Sequence, residues 1–281
     1  SLRLMEELNQ IFDNRLALAI QIFKGNYPKK FLSQLVSSQL DCDRMDYLKR
    51  DSFYTGVVEG NINPERIISM MNVSNDELVI EAKGISSVEK FLMARMFMYM
   101  QVYMHKKSFT AENFLISVLR RAKELTKAGE NLFATFAFKY FLEENEAGSL
   151  SKEGLEIFTR LDDSDVLSAI KEWQFHDDLI LSKLSKNIIQ RILPKSYLMD
   201  TKLSEEEILV EKNRVEKALG IDDASYFVEQ TTIKIVPYEK SKSPIKVLYK
   251  NGEVKEISSS EKSLLTQFLQ QEITKYHYHS V

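Results

Sequence analysis

The sequence predicts a mainly α protein closed by a small α+β lobe, and three observations carry that prediction. Apolar residues recur at helical spacing almost without interruption from Ser1 to about Asp200. After Pro194 the texture changes to alternating, β-branched segments. Between two of those segments lies Asn251-Gly252, the strongest short-range hairpin signal. The implied division is a helical part over residues 1–193 and an α+β lobe over 194–281.

Taken in order, helical periodicity covers roughly 2–23, 28–51, 63–72, 85–107, 110–128, 131–143, 151–160, 164–173 and 177–191. Pro64 suits a first helical turn, Thr110 an N-cap, and Gly129 and Gly148 positions just beyond helix ends. Leu161-Asp162-Asp163-Ser164-Asp165 reads as a capped helix start. Its acids are explained by helix N-terminal electrostatics rather than metal binding. Asn75 to Glu81 reads as a short strand pair or an extended loop. The methionine-rich stretch Phe91 to Met104 reads as a helix buried on nearly all sides, and it falls short of the roughly 20 residues a membrane span needs.

In the lobe, a strand over Lys195–Asp200 precedes an acidic helix over Ser204–Leu219 that stops at Gly220. Strands over Tyr226–Val236, Ile245–Tyr249 and Val254–Ile257, a helix over Ser259–Gln271 and a strand over Ile273–Tyr278 complete a ferredoxin-like order. Tyr238 to Pro244 reads as a flexible loop. His277 and His279 alternate with tyrosines and so share one strand face, predicting a surface pair rather than a metal site.

Composition narrows the function classes. A net charge of −3 and a pI near 5.9 give no global basic field of the kind nucleic-acid binders use. The single cysteine, Cys42, excludes an intramolecular disulfide, fits a reducing cytoplasm and reads as a small buried residue.

The chemistry concentrates in Leu40-Asp41-Cys42-Asp43-Arg44-Met45-Asp46-Tyr47-Leu48-Lys49-Arg50-Asp51. Asp43, Asp46, Tyr47, Arg50 and Asp51 fall at i, i+3, i+4, i+7 and i+8, one helical face, and apolar flanks predict that this face turns inward. A charged stripe taken inside is costly unless its members pair, bind metal or meet a ligand. Spacing alone leaves two readings open: an ion-pair network through Arg44 and Arg50, or a metal or phosphate site. Downstream, Arg95, Tyr99 and Tyr103 share a face over a little more than two helical turns.

The pattern D-x-D-[KR]-x-D-Y-x-x-R-D, followed by Tyr54-Thr55-Gly56, resembles the last conserved motif of the HD-superfamily deoxynucleoside triphosphate triphosphohydrolases. Arg95, seven intervening residues and Tyr103-Met104-His105-Lys106 resemble a second motif of that family. The resemblance implies an HD-type helical bundle, homo-oligomerisation and hydrolysis of dNTPs to deoxynucleoside and triphosphate. It implies a divalent metal ion (Mg, Mn, Fe, Ni or Zn, not distinguished) held by a histidine, a His-Asp doublet and a later aspartate, which Asp43 matches. Arg44 and Arg95 correspond to phosphate-binding residues, Tyr47 and Asp51 to residues contacting the sugar, Tyr103 to one packing on sugar or base, and Lys106 to the end of the second motif. A glutamine commonly follows the family's tyrosine and touches the base, whereas Met104 stands here, so phosphate binding carries over better than base preference.

The family's other three ligands precede its closing aspartate, but His105, His176, His277 and His279 all follow Asp43. His176-Asp177 spells the doublet without an upstream histidine partner and reads as a helix junction with Asp177 near an N-cap. Leu2, Leu4, Met5, Leu8, Ile11 and Phe12 recur at helical spacing from the first residues, as in the middle of a domain. The expectation is a fragment carrying one of four metal ligands and inactive alone. The alternatives are hydrolysis of another phosphorylated nucleotide, and a non-catalytic oligomerising or regulatory module.

Overall fold

The long helical runs break where the backbone has to turn. In the computed structural model, which describes residues 1–143, 150–239, 243–260, 263 and 272–281, Asp13 and Asn14 adopt left-handed φ of 51° and 62°. Short polar side chains tolerate that region best. The run over 2–23 is therefore two helices, α1 (Leu2–Ile11) and α2 (Ala17–Phe23). Asn9 fixes the break, its amide donating to Asn14 Oδ1 at 3.0 Å and its carbonyl oxygen accepting from Leu16 N–H at 2.8 Å.

The run over 28–51 likewise divides into α3 (Lys30–Val36) and α4 (Cys42–Thr55). Asp41 caps α4 by accepting from Arg44 N–H at 2.8 Å, and Gly56 ends it at φ 72°, the left-handed conformation glycine takes without strain. Asn63 caps α5 (Pro64–Ile68), with Pro64 in the first turn as expected. The Asn75–Glu81 alternatives resolve to a hairpin, β1 (Met71–Ser74) and β2 (Glu77–Glu81), because Asn75 and Asp76 take φ 51° and 59° and supply a two-residue turn.

α6 (Ile85–Met98) runs into a π turn over Tyr99–Tyr103, closed by Met104 N–H to Tyr99 O at 2.7 Å. α7 (Lys106–Lys127) follows. Thr110 is a buried residue inside α7, not its N-cap, and its hydroxyl donates back to Lys106 O at 2.6 Å. α8 (Phe136–Glu143), α9 (Lys152–Phe158), α10 (Asp163–Trp173) and α11 (Leu179–Ile189) lie within one to five residues of their predicted limits. Asp162 and Asp165 form the expected capping box of α10. Gly129 has φ 96°, as a helix-terminating glycine should, while Gly148 lies outside the described residues.

Beyond α11 come β3 (Lys195–Met199), α12 (Glu205–Leu219), β4 (Val228–Ile235), β5 (Lys246–Leu248), β6 (Val254–Glu256) and β7 (Ile273–Ser280). The strands sit where expected, but they do not make one ferredoxin-like sheet. β5 pairs parallel with β2 and antiparallel with β6, giving the order β1-β2-β5-β6, while β3, β7 and β4 form a second sheet. Apolar strand faces far apart in sequence bury one another, and local alternation carries no record of which partner a strand takes. The predicted helix over Ser259–Gln271 falls mostly outside the described residues, as do residues 240–242 of the expected flexible loop. The ends of that loop are tied down: Gln39 Nε2 donates to Glu239 O at 2.8 Å and Ser243 O at 2.7 Å.

The mainly α class with an added α+β part stands, but the chain partitions differently from 1–193 and 194–281. One compact unit comprises Ser1–His105 and Lys234–Thr274, the other Lys106–Ile233 and Lys275–Val281. The first centres on Leu48, Ile67, Ile80, Val88, Phe91, Leu92, Met98 and Val247. The second centres on Phe114, Val118, Ile170, Trp173, Leu181, Leu184 and Phe227. Each such side chain contributes about 1.5–3 kcal/mol by leaving water. Among the described residues no helix is long and apolar enough to cross a membrane.

Candidate functional site

α4 does not carry its charged face inward. Met45, Leu48 and Ser52 make its buried face, whereas Asp43, Asp46, Lys49 and Arg50 are exposed and Tyr47 and Asp51 lie at the boundary. Solvation of the carboxylates outweighs the pull of the apolar flanks, since a charge brought inside needs a full set of partners. Cys42 is exposed as well, contrary to its expected burial. The ion-pair reading holds in part, with Arg50 bonding Asp46 at 2.7 Å one turn away and Lys49 meeting Glu65 at 3.0 Å. Exposed pairs of this kind are worth little.

The inward charge on this segment is Asp41, which spacing did not single out. It is 1% exposed, accepts from Ser38 N–H at 2.9 Å and from Arg44 N–H, and forms an ion pair with the Arg44 guanidinium. Arg44 also donates to the Ser38 carbonyl. Asp41 thereby fixes both the start of α4 and the direction of Arg44. The available signal was D-x-x-R at a helix start, which places the arginine backbone within reach of the capping carboxylate.

The second half of the site comes from α6 and the π turn. Tyr103 Oη donates to Asp51 Oδ2 at 2.6 Å, joining the π turn to α4. The Tyr103 ring meets Tyr47 edge-on at 6.1 Å and Tyr99 at 5.3 Å. The Arg95 guanidinium lies over the Tyr99 ring, 5.6 Å from its centroid, and among the described residues no carboxylate pairs with it. Burial, then the neighbouring Tyr99, raises the pKa of Tyr47, against the pull of Arg95 and Arg44. Burial and the bond to anionic Asp51 raise that of Tyr103. Both phenols therefore stay protonated at neutral pH, and the single O–H of Tyr103 is given to Asp51.

Of the residues predicted for the site, Arg44, Tyr47, Asp51, Arg95 and Tyr103 thus gather in the first unit. Lys106 is the exposed first residue of α7 and belongs to the second unit. Asp43 is exposed in the first turn of α4. No group of three or more His, Cys, Asp or Glu side chains suited to a metal occurs among the described residues. One carboxylate does not meet the ligand count of a metal centre, so the described residues do not hold the divalent ion by themselves.

The remaining histidines have structural surroundings. His176 Nδ1 accepts from Asp178 N–H at 3.0 Å. Asp178, rather than Asp177, caps α11 and pairs with Arg121 at 2.6 Å. His277 and His279 are not a surface pair, being 0% and 1% exposed. They face α7, with His277 Nε2 2.9 Å from Thr110 Oγ1 and its ring 4.8 Å from Phe109, while His279 lies 5.4 Å from Phe114. Strand alternation correctly puts both on one face but cannot say which face a helix covers.

The fold agrees with what the chain resembles among known proteins. Residues 62–276 match the family described as the HD associated region, and the chain belongs to that family. The structure of a phosphohydrolase from Bacteroides thetaiotaomicron, BT4208, superposes with a TM-score of 0.93 at 44% identity, covering 100% of this chain and 71% of that one. A hypothetical protein from Aquifex aeolicus superposes with a TM-score of 0.64 at 25% identity over 93% of this chain and 60% of that one. Among curated proteins, the uncharacterized protein YwfO of Bacillus subtilis is 36% identical over 85% of this chain and 55% of its own length. The MG461 homolog of Mycoplasma pneumoniae is 31% identical over 78% and 52% respectively. The chain thus spans about half the length of the curated relatives it matches.

Proposed function

We propose that this chain supplies the phosphate- and sugar-binding side of an HD-type nucleotide phosphohydrolase acting on deoxynucleoside triphosphates. The observation that carries the reading is Arg95, a half-buried guanidinium with no carboxylate partner among the described residues, beside the Tyr47–Tyr103–Asp51 cluster. A cation so placed keeps its donors for an incoming anion, and partial burial strengthens its hold. Arg44, whose Nη1 is taken by Asp41 and the Ser38 carbonyl, offers only its remaining donors to the polyphosphate. Tyr103 occupies Oδ2 of Asp51, while Oδ1, 3.8 Å from Arg50 Nε, would accept from a sugar hydroxyl, and the tyrosine rings offer apolar faces to the deoxyribose. The phosphohydrolase BT4208 supports the reaction class. Asp43 offers only one carboxylate toward a metal. The proposal extends to a self-associating cytoplasmic enzyme, and light scattering tests the association.

The measurement that tests this reading is calorimetric binding of dNTPs, NTPs and inorganic tripolyphosphate to the chain. Arg95→Ala should weaken every triphosphate by roughly 10–100-fold, the range of a charge-assisted hydrogen bond. Asp51→Ala should weaken dNTPs more than it weakens tripolyphosphate. Unchanged affinity in Arg95→Ala would sink the proposal. Met104, where the family commonly has glutamine, favours a second reading in which another phosphorylated nucleotide is the substrate. Tighter binding of a monophosphate than of any triphosphate would select it.

A further inference from the structure

Arg95 and Tyr103 are joined by a backbone irregularity that the phosphate-binding reading leaves unexplained. From Tyr99 to Tyr103 the helix widens to a π turn, with Met104 N–H bonding Tyr99 O at 2.7 Å rather than the carbonyl one residue later. Such turns forgo the better α geometry and are found mostly as single insertions, often at functional sites. Here the wider turn changes the angular register of Tyr103 relative to Arg95 and Tyr99 from that of a continuous α-helix. In the observed register Tyr103 reaches Asp51 at 2.6 Å, and the Tyr99 ring stands between Tyr103, at 5.3 Å, and the Arg95 guanidinium, at 5.6 Å.

We infer that Tyr99 is a positioning residue, and that the π turn exists to hold its ring as the platform for Arg95. An arginine side chain otherwise loses considerable rotamer freedom when it grips an anion. An aromatic face removes part of that cost beforehand without neutralising the charge, as a carboxylate partner would. Tyr99 is suited to this because its ring is itself fixed edge-on by Tyr103, which Asp51 anchors to α4. The chain of contacts from Asp51 through Tyr103 and Tyr99 to Arg95 thus links the sugar-binding end of the cluster to its phosphate-binding end. This inference rests on the reading that Arg95 binds phosphate.

The test uses the full chain and inorganic tripolyphosphate, with affinity measured at low ionic strength. Tyr99→Leu should weaken binding about five- to tenfold, while Tyr99→Phe and Tyr99→Trp stay within about twofold of the parent, since both keep an aromatic face. Deleting Met100, which returns the turn to α register, should weaken binding at least as much as Tyr99→Leu. In the Arg95→Ala background, Tyr99→Leu should cost nothing further, which separates action through Arg95 from general loosening of the fold. If Arg95→Ala binds as the parent does, the phosphate reading fails. If Arg95→Ala weakens binding while Tyr99→Leu does not, or if the two losses add in full, the positioning role is overturned. Should Tyr99→Leu not fold, Tyr99→Gln takes its place, with the same expected loss and the same criterion.

Discussion

Around Tyr103 the polar groups of the first unit, Asp41 apart, are partly exposed and are engaged with one another, whereas around His279 those of the second unit are sealed and several have no partner among the described residues. In the first cluster Asp51 meets Tyr103, Asp41 meets Arg44, and Arg95 rests on a ring. In the second, Asn113 Nδ2, Ser196 Oγ, His277 Nδ1 and His279 Nδ1 are buried without a hydrogen-bond partner among the described residues. The register pairs Ser196 with His279, and Asn113 follows Thr110 by three residues on the buried face of α7. Burial lowers the pKa of His277 and pushes that of His279 down to about 4. Full enclosure therefore makes the histidines neutral packing groups, while partial exposure leaves Arg95 open to an anion from solvent. Titratable residues gather in both places, and solvent access is what distinguishes them.

The comparison breaks most readily at Phe114, which is fully buried against His279 and Phe227. Phe114→Ala should destabilise the chain by about 3–5 kcal/mol, read as a lowered urea midpoint. A loss below about 1 kcal/mol would mean that the layer is not packed as described.

Acid should act on the second cluster next. A histidine near 6.5 when unfolded and near 4 when folded takes up its proton preferentially in the unfolded state. Its contribution is complete above pH 6.5 and is lost as pH falls toward 4, on the order of 3 kcal/mol. Urea midpoints across that window should fall less steeply in His279→Leu than in the parent, and parallel curves would contradict the assignment.

A smaller effect is expected in the first cluster. Asp51→Asn replaces a charged acceptor by a neutral one at a partly exposed site, costing about 1 kcal/mol after allowance for solvent. It should also let Tyr103 ionise at lower pH, visible as an earlier step in the ultraviolet titration of the tyrosines. Smallest of all, Cys42→Ser should leave stability within about 0.5 kcal/mol, as at most surface positions. Cys42 in the folded parent should react promptly with a thiol reagent.

Much of this was legible in the residues. Helix and strand positions followed from periodicity and from Pro64, Asp162, Gly129 and Gly220, because those signals are local. The convergence of Tyr47, Asp51, Arg95 and Tyr103 is what the resemblance of two short motifs to one family implies, since spacing alone places each set only on a face of its own helix. Orientation was less accessible. The charged face of α4 turns outward and the face shared by His277 and His279 inward, each the reverse of the expectation, because periodicity defines a face without saying what covers it. The pairing of β2 with β5 depends on contacts between distant segments, and the π turn on a one-residue change in helix register. Neither leaves a compositional mark.

The two-sheet topology also sets a schedule for synthesis. β2 ends at Glu81, yet its parallel partner β5 begins only at Lys246. At roughly 5–20 residues per second, the outer edge of β2 waits on the order of ten to thirty seconds for its neighbour. An unpaired edge is a site for wrong partners throughout that interval. β7, the central strand of the other sheet, is made after every other described element, so β3 and β4 also emerge before the strand that joins them. Neither sheet can close early: a nascent chain halted before Lys234 would carry both units unfinished, and one halted before Lys275 would still lack the end of the second.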